Sequence, residues 1–329
     1  MNTSKKIICI VTPCYNEAEN IIPLYEAIKS ETAKLSNYEF LHLFVDNDST
    51  DASQIRIREL TERDSKVLGI FNARNFGHIR SPFYGILQVD ADATILMASD
   101  FQDPVELIPK FISDWEQGSK VVMAVKSQSD ESPIFYRVRK AYYDSVRKIA
   151  SIKLVKNYTG TGLYDREVIS ELRKIDDPYP YFRGLIPDLG FQSSEVHFKQ
   201  PVRTRGFSKN NFYTLYDMGW LGITSHSRVP LRMATILGFI FSVISFLIAL
   251  GYLVVKLLFW DKFAFGLAPM LIGMFLLGSV QILFIGILGE YIGAILTQVQ
   301  KRPLVVEKTR LNFLKASSSL SREISLPRQ

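Results

Sequence analysis

The sequence predicts an α/β domain with a mainly parallel sheet that is covered by helices on both faces, followed by a two-helix transmembrane hairpin. Two observations support this fold class. Strand-like segments alternate with segments of helical periodicity over the first part of the chain, which is typical of a parallel sheet. Two long runs without Asp, Glu, Lys or Arg follow, at residues 233–255 and 263–289.

The elements of the predicted sheet alternate in order along the chain. We expect strands, rich in β-branched and aromatic residues, at residues 7–12, 40–45, 67–71, 94–98 and 120–125. We expect helices, with apolar residues at helical spacing, at residues 19–35, 53–64, 80–91 and 104–117. In such sheets ligands bind outside the carboxyl ends of the strands. The polar turns that follow the strands are therefore the expected site.

Two acidic clusters flank the predicted strand at residues 94–98. Asp90 and Asp92 form a D-x-D pattern before this strand, at its amino end. Asp100 and Asp103 follow the strand, at its carboxyl end. The position of the second cluster favours it as the ligand site, and the D-x-D is expected to be a solvated turn. The polar turns PCYNEAEN (13–20) and DNDSTD (46–51) also follow strands, and we expect them at the same edge.

The two uncharged runs are predicted to span a membrane. Each is long enough to cross a hydrocarbon core of roughly 30 Å, which takes about 20 helical residues. Because only residues 256–262 separate the runs, they must form a tight hairpin with both chain ends on one side. Arg228 and Arg232 precede the first run, and Lys301 and Arg302 follow the second. The positive-inside rule therefore predicts cytoplasmic termini, and we expect no signal peptide.

The chain carries a formal net charge of +6, which raises the question of its partners. Nucleic acid is a common partner of basic chains, but the basic residues here crowd the predicted membrane border. They suit anionic headgroups or a lipid phosphate better, so we expect no nucleic acid. Cys9 and Cys14 lie in or beside an apolar strand without metal-ligand spacing, and we expect them to be reduced and structural.

Six patterns, some of them described above, occur in one order along the chain: PCYNEAEN (13–20), VDNDSTD (45–51), RNFG (74–77), DFQDPVEL (100–107), YFRG (181–184) and RTRGFSKN…GITSHSRVPLR (203–232). In this order they resemble the inverting family 2 glycosyltransferases of GT-A fold that act on polyprenyl phosphates. Bactoprenol-phosphate glucosyltransferases and dolichyl-phosphate mannose synthases belong to this group. The resemblance covers roughly residues 5–305. Its most specific parts are the D-x-Q-D-P turn, the late basic motif and the two C-terminal spans.

The resemblance implies a set of site residues. Mg²⁺ or Mn²⁺ would be held by Asp100 and the Gln102 carbonyl, with Asp103 as a direct ligand or behind them. Contacts to the nucleotide sugar would come from Pro13, Tyr15, Glu17, Asp46, Asp48, Asn75, Asp100 and Arg137. Asp165, before the helical pattern REVI, would be the catalytic base, and a helix N-cap is the alternative interpretation. The acceptor phosphate would be bound by Arg203 and Lys209.

The chain departs from the family's pattern in three turns. Ala98 stands where the D-A-D-L-Q-D-P-P turn has its first Asp, and Ser99, Asp46 or Asp48 are the candidates to compensate. The usual D-D-G-S turn is D-N-D-S here, with Asn47 and Asp48 in place of Asp and Gly. After RNFG, the segment HIRSPFYG replaces a helix start of small residues and alters the wall beside the site.

We expect four regions: a cytoplasmic GT-A catalytic domain (1–209), an interfacial amphipathic segment (210–230), two transmembrane helices (231–297, at about 233–257 and 263–289) and a cytoplasmic tail (298–329). The resemblance implies transfer of one sugar, such as glucose from UDP-glucose, to undecaprenyl phosphate at the cytoplasmic face of the plasma membrane, for modification of a surface polysaccharide or lipid. It also suggests a homo-oligomer, with a tetramer as the family precedent. GDP-mannose and amino-arabinose donors fit the motifs equally well. A processive polysaccharide synthase of the same fold would need a Q-x-x-R-W segment, which this sequence lacks. The alternative of another class is a non-catalytic membrane scaffold that keeps the fold.

Overall fold

The computed structural model describes residues 5–128, 155, 157–201, 229–259 and 267–313. The strands in this part of the chain are β1 (Lys6–Cys14), β2 (Tyr38–Asp46), β3 (Val67–Asn72), β4 (Ala93–Leu96), β5 (Val121–Gln128), β6 (Tyr158–Asp165), β7 (Ser193–Lys199) and β8 (Glu307–Leu311). The helices are α1 (Ala18–Ala33), α2 (Ser53–Arg63), α3 (Gly77–Ile86), α4 (Leu107–Glu116), α5 (Arg166–Arg173), α6 (Phe182–Asp188), α7 (Val229–Leu258) and α8 (Leu267–Val299).

The described strands form one mixed sheet in the order β7-β5-β6-β4-β1-β2-β3-β8. The central pairs β4–β1, β1–β2 and β2–β3 are parallel, as is β5–β7. Strand β6 runs antiparallel to both β4 and β5, and β8 runs antiparallel to β3. The predicted α/β class with a mainly parallel sheet is confirmed. The carboxyl ends of β1, β2, β3 and β4 therefore meet at one edge, which we call the carboxyl edge.

Helices cover both faces of the sheet, as the alternation of side chains along β1 requires. Ile7, Cys9 and Val11 pack into a buried cluster that includes residues of α3 and α5. Ile8 and Ile10 point to the other face and join a cluster with residues of α1 and α4. Both faces of β1 are thus buried, which explains why its sequence is a continuous apolar run.

Strand β6 was not predicted from the sequence, because its two glycines are poor strand formers. Gly162 is required by close packing: a Cβ at this position would lie 2.2 Å from the carbonyl oxygen of Val122 in β5. Gly160 has φ +93, a conformation that residues with a Cβ rarely adopt. Both glycines therefore serve the local geometry of a strand inserted between β4 and β5.

Strand β8 comes from the segment that the sequence analysis assigned to a C-terminal tail. It extends the sheet at β3, and the chain just beyond it is held by the side chain of Asn312. The Asn312 Nδ2 lies 2.5 Å from the carbonyl oxygen of Thr61 and 2.9 Å from that of Val67. Part of the predicted C-terminal tail therefore belongs to the sheet of the α/β domain.

Helices α7 and α8 are long and carry many exposed apolar side chains, such as Phe239 and Phe246. By length and composition, one segment in the described part of the chain is long and apolar enough to cross a membrane, Leu276–Val299. Met233–Ile248 is a shorter apolar stretch. The described residues thus contain one candidate span, where the sequence predicts two. Helix α8 begins four residues later and ends ten residues later than the predicted span at 263–289. The predicted interfacial segment lies outside the described residues up to position 228.

The end of α8 lies against the α/β domain at the carboxyl edge. Gln298 Nε2 donates to Asp177 Oδ1 at 2.8 Å, and Lys301 Nζ lies 3.1 Å from Asp176 Oδ2. The chain then enters β8, whose first residue, Glu307, pairs with the last residue of β3. The carboxyl edge of the sheet is therefore the edge nearest the end of this apolar helix.

Candidate active site

The loops after β1 and β2 are joined to each other at the carboxyl edge. The backbone amide of Asn16 donates to Ser49 Oγ at 2.8 Å, and the amide of Thr50 donates to Asn16 Oδ1 at 2.8 Å. The amide of Glu17 donates to Ser53 Oγ at 2.9 Å. These bonds hold the two loops as one surface. Three of the predicted nucleotide contacts are half-buried here: Pro13 near the end of β1, and Tyr15 and Glu17 on the first loop.

Asp46, the last residue of β2, lies at this edge but has no exposed surface. Its Oδ2 accepts from the amide of Ser49 at 3.0 Å and from Gln54 Nε2 at 2.7 Å, and burial raises its pKa. A fully buried carboxylate cannot touch a ligand unless its turn rearranges. In this conformation Asp46 shapes the turn, and its predicted contact with the nucleotide stays a prediction.

Asp48 is the half-exposed carboxylate of the same turn, with φ 63. This left-handed conformation is the reason why glycine is common there, and Asp is among the few other residues that adopt it readily. The replacement of glycine by Asp48 therefore keeps the turn and adds a carboxylate at the carboxyl edge.

Asn47 connects this turn to the loop after β3. Its Nδ2 donates to Asn75 Oδ1 at 2.9 Å, and its Oδ1 accepts from Asn72 Nδ2 at 3.0 Å and from the amide of Phe76 at 2.9 Å. Asn75, a predicted nucleotide contact, is exposed. An aspartate at position 47 could not donate to Asn75, so the departure at this position builds a new link between two loops of the site.

The D-x-Q-D turn lies between these loops and β6, directly after β4. Asp100 is half-exposed, and its Oδ1 accepts from the amide of Gln102 at 3.2 Å. Phe101 between them has φ 57, which tightens the turn. Asp103 is 4% exposed and accepts from Thr161 Oγ1 of β6 at 2.5 Å. Burial raises the pKa of Asp103.

The D-x-Q-D turn offers oxygen atoms that could bind a divalent cation. Among the described residues, no group of three or more His, Cys, Asp or Glu side chains is arranged to hold a metal. Mg²⁺, however, usually takes one or two protein carboxylates together with substrate phosphates and water. The half-exposed Asp100 and the Gln102 carbonyl fit that pattern. Asp103 is buried behind them and fits a supporting position better than a direct one.

The D-x-D at Asp90 and Asp92 lies at the opposite, amino edge, as predicted. Asp92 precedes β4, and its Oδ2 accepts from the amide of Ile7 at 2.8 Å. Asp90 forms an ion pair with Arg166, with 2.5 Å between Oδ2 and Nη2. These contacts give both aspartates structural partners.

Asp165 also lies at the amino edge, which contradicts its assignment as the catalytic base. In the antiparallel pairing of β6 with β4, Asp165 is opposite Ala93, the first residue of β4. It is separated from the carboxyl edge by the length of β4, about 10 Å at 3.3 Å per residue. Its Oδ1 accepts from the amide of Glu167 and caps α5, and its Oδ2 accepts from Trp115 Nε1 at 2.7 Å. The alternative interpretation as a helix N-cap is the correct one.

The remaining predicted residues, Arg137, Arg203 and Lys209, lie outside the described residues. The structure adds two residues that the sequence did not single out, Thr161 and Arg183. Thr161 was missed because β6 was not recognised as a strand. Arg183 is part of the YFRG pattern quoted above, which was the available signal for it.

Comparisons with known proteins identify the family of the chain. The model of the family described as glycosyl transferase family 2 matches residues 9–173, about half of the chain. A bactoprenol glucosyl transferase of Shigella phage SfX is 32% identical over 92% of this chain and 99% of its own length. An uncharacterized glycosyltransferase of Bacillus subtilis (strain 168) is 30% identical over 92% of this chain and 91% of its own.

Among solved structures, the glucosyl-3-phosphoglycerate synthase of Mycobacterium tuberculosis, crystallised with Mn²⁺ and UDP, aligns with a TM-score of 0.46. It is 15% identical over 67% of this chain and 78% of that chain. The family match and the two relatives of 30% identity or more, each aligned over nearly its full length, carry the assignment. The chain therefore belongs to glycosyl transferase family 2 and is a glycosyltransferase.

Proposed function

We propose that this glycosyltransferase moves one sugar, a hexose such as glucose, from a UDP-linked donor to a polyprenyl phosphate such as undecaprenyl phosphate. The observation that carries the proposal is the position of the Asp100 turn. It lies at the carboxyl edge beside the joined loops after β1 and β2, and that edge is nearest the end of α8. On this proposal, the donor site and an apolar helix that can enter a membrane would meet at one edge of the sheet.

The names of the relatives support the proposed polyprenyl phosphate acceptor and the proposed glucose donor. Several are bactoprenol glucosyl transferases of Shigella phages, and this chain aligns with them over 92% of its length. We infer from their names a polyprenyl phosphate acceptor and a glucose donor. The UDP-linked form and the undecaprenyl chain are our choice among the donors and lipids that the motifs allow.

The chemistry requires little acid–base help from the protein. An oxygen of the acceptor phosphate forms a bond to the anomeric carbon from the face opposite the leaving group. The bond from that carbon to the diphosphate oxygen breaks, and its electron pair leaves with the nucleoside diphosphate. A phosphate monoester is largely a dianion near pH 7, since its second pKa is about 6. The attacking oxygen therefore needs no general base, which agrees with the location of Asp165 outside the site.

Protein groups at the carboxyl edge would orient the donor. The end of β1 offers Pro13 and the loop after it offers Tyr15 and Glu17, while the second loop offers Asp48 and the third offers Asn75. Asp100 and the Gln102 carbonyl are the residues that we propose hold Mg²⁺ or Mn²⁺, and Asp103 supports their turn through Thr161. A cation at this position would stabilise the charge that develops on the leaving diphosphate.

We further propose that α7 and α8 form a transmembrane hairpin, with the catalytic domain and both termini in the cytoplasm. Strands β7 and β8 belong to one sheet, yet they precede α7 and follow α8. If α8 crosses the membrane, the chain between these strands must cross it an even number of times. Helix α7, of 30 residues with exposed apolar side chains, is the natural second crossing. The lipid bilayer would then cover side chains that are unfavourable in water.

Transfer of radiolabelled sugar to undecaprenyl phosphate by the purified protein tests the reaction. The assay uses a panel of UDP- and GDP-sugars with Mg²⁺ or Mn²⁺, and compares Asp100→Asn with Asp90→Asn. We expect transfer from a UDP-hexose that falls by about 100-fold or more in Asp100→Asn, because a ligand at the leaving group stabilises the transition state directly. Asp90→Asn should keep its activity per folded molecule. Transfer that survives Asp100→Asn would contradict the site, and no transfer from any donor would favour a non-catalytic scaffold.

A further inference from the structure

Arg183, the second residue of α6, is a half-buried arginine beside the candidate site. In the part of the chain that the structure describes, its guanidinium forms no hydrogen bond or ion pair. The backbone beside it is fixed, because the ring of Phe182 packs edge-on against Tyr164 at 5.2 Å and against Phe83 at 6.0 Å between centroids. Gly184 on its other side is buried. A partly desolvated guanidinium on a fixed backbone has five donors available for a ligand.

The surroundings of Arg183 locate it at the carboxyl edge. A Cβ built on Gly160, at the start of β6, would lie 4.0 Å from Arg183 Nε. Thr161, the next residue, donates to Asp103 of the D-x-Q-D turn. Arg183 therefore lies beside Gly160, the residue that precedes the Thr161 whose hydroxyl bonds the turn.

The order of the strands decides which side of the turn Arg183 occupies. Strand β4 carries the turn, with β1 and β2 on one side and β6 on the other. The joined loops that we assign to the nucleotide follow β1 and β2. Arg183 lies beside the start of β6, and its neighbour Phe182 packs against Phe83 of α3, so Arg183 is near β6 and α3 and not on the joined loops. We assign this part of the edge to the second substrate.

The same side is connected to the end of α8. The loop before α6 contains Asp176 and Asp177, which contact Lys301 and Gln298. Only a few residues separate this loop from Arg183. Arg183 is thus linked through a short segment to the end of α8, where the tail of a lipid phosphate would lie if α8 crosses the membrane.

We propose that Arg183 binds the phosphate group of the lipid acceptor and orients it for attack on the donor sugar. The inference rests on the proposed function and adds to it a phosphate-binding residue within the described chain. A guanidinium forms two parallel hydrogen bonds to a phosphate, which restrains its rotation as well as its position. Two of the three phosphate oxygens would be held in this way, and the third would remain free to attack.

The test compares Arg183→Ala, Arg183→Lys and the control Arg56→Ala, an exposed arginine on α2 that pairs with Glu59. Initial rates are measured while donor and polyprenyl phosphate are varied in turn. We expect Arg183→Ala to lower kcat/KM for the acceptor by about 10- to 100-fold, the range for loss of charge-assisted hydrogen bonds. The KM for the donor should change by less than about 3-fold, and Arg183→Lys should recover part of the loss.

A binding measurement separates this inference from the proposed function. Farnesyl phosphate and farnesol are titrated against the purified protein without any donor. Wild type should prefer the phosphate, and Arg183→Ala should lose about 10-fold of that preference even if no transfer is detected. An increased donor KM with unchanged acceptor binding would overturn the inference, because Arg183 would then hold the donor diphosphate. Equal binding and equal rates in all variants would overturn it as well. Thermal unfolding of Arg183→Lys shows whether a loss of binding comes from misfolding of the variant.

Discussion

Replacement of Asp165 by Asn distinguishes a structural carboxylate from a catalytic one. Asp165 uses both oxygens: Oδ2 accepts from Trp115 Nε1, and Oδ1 accepts from the amide of Glu167 and lies 3.3 Å from Lys120 Nζ. Asparagine has a single acceptor oxygen. If that oxygen keeps the helix cap, the side-chain amide faces the N–H of Trp115, and a buried donor is left without an acceptor.

The size of the effect follows from these contacts. An unsatisfied buried donor costs about 1–3 kcal/mol. The ion pair with Lys120, a third exposed, adds at most about 1 kcal/mol. We therefore expect Asp165→Asn to lower the free energy of unfolding by about 2–3 kcal/mol, or Tm by roughly 5–10 °C for a domain of this size. The activity per folded molecule should stay within about 3-fold of wild type, since the site lies at the other edge of the sheet.

Thermal unfolding and sugar transfer are measured on Asp165→Asn, on Trp115→Phe and on the double variant. Trp115→Phe removes the donor that would be left unsatisfied, so the double variant should lose less stability than the two single variants together. A variant Asp165→Asn with unchanged Tm and a 100-fold lower kcat would refute the reasoning, because it would return Asp165 to the reaction.

Two further predictions concern the sheet. Gly162→Ala should prevent stable folding, because its Cβ would lie 2.2 Å from the carbonyl oxygen of Val122 and force β5 and β6 apart. The control is Gly118→Ala, at a position with φ +104 and open space around it, which should lower the free energy of unfolding by about 1–2 kcal/mol. Equal yields of the two variants in purified membranes would contradict this account. Burial lowers the pKa of His42 from 6.5 to about 3, so the unfolded chain takes up the proton first as pH falls, and stability is lost from about pH 7 toward pH 3. Between pH 7.5 and pH 5 the free energy of unfolding should fall by about 2 kcal/mol from this cause. When unfolding is measured across this range, the free energy of unfolding should depend less steeply on pH in His42→Gln than in wild type.

The sequence allowed the first five strands to be placed in order, because each combines a buried apolar run with a following polar turn. That order was enough to separate the two acidic clusters. Asp100 follows β4 and Asp90 precedes it, and the ends of a strand are distinguishable from sequence alone. The family-type motifs then identified the chemistry of the turn.

The direction of β6 could not be read from the sequence. A strand pattern is the same whether the strand runs parallel or antiparallel, and the glycines at 160 and 162 weakened even that pattern. The antiparallel course moves Asp165, at the end of β6, to the amino edge and brings Thr161, near its start, to Asp103. One reversal of direction therefore exchanges which residue of this segment belongs to the site.

The sequence by itself determined the α/β class and the apolar C-terminal runs, and it predicted the carboxyl edge and the D-x-Q-D turn as the site, because these depend on local periodicity and on order along the chain. Only the tertiary structure decided that Asp46 is buried, that Asp165 caps a helix, and that Arg183 lies beside the start of β6. It also decided that Glu307–Leu311 adds a strand to β3 more than 200 residues earlier in the chain. These features depend on pairing between distant segments, which the burial of whole faces selects and no local pattern records.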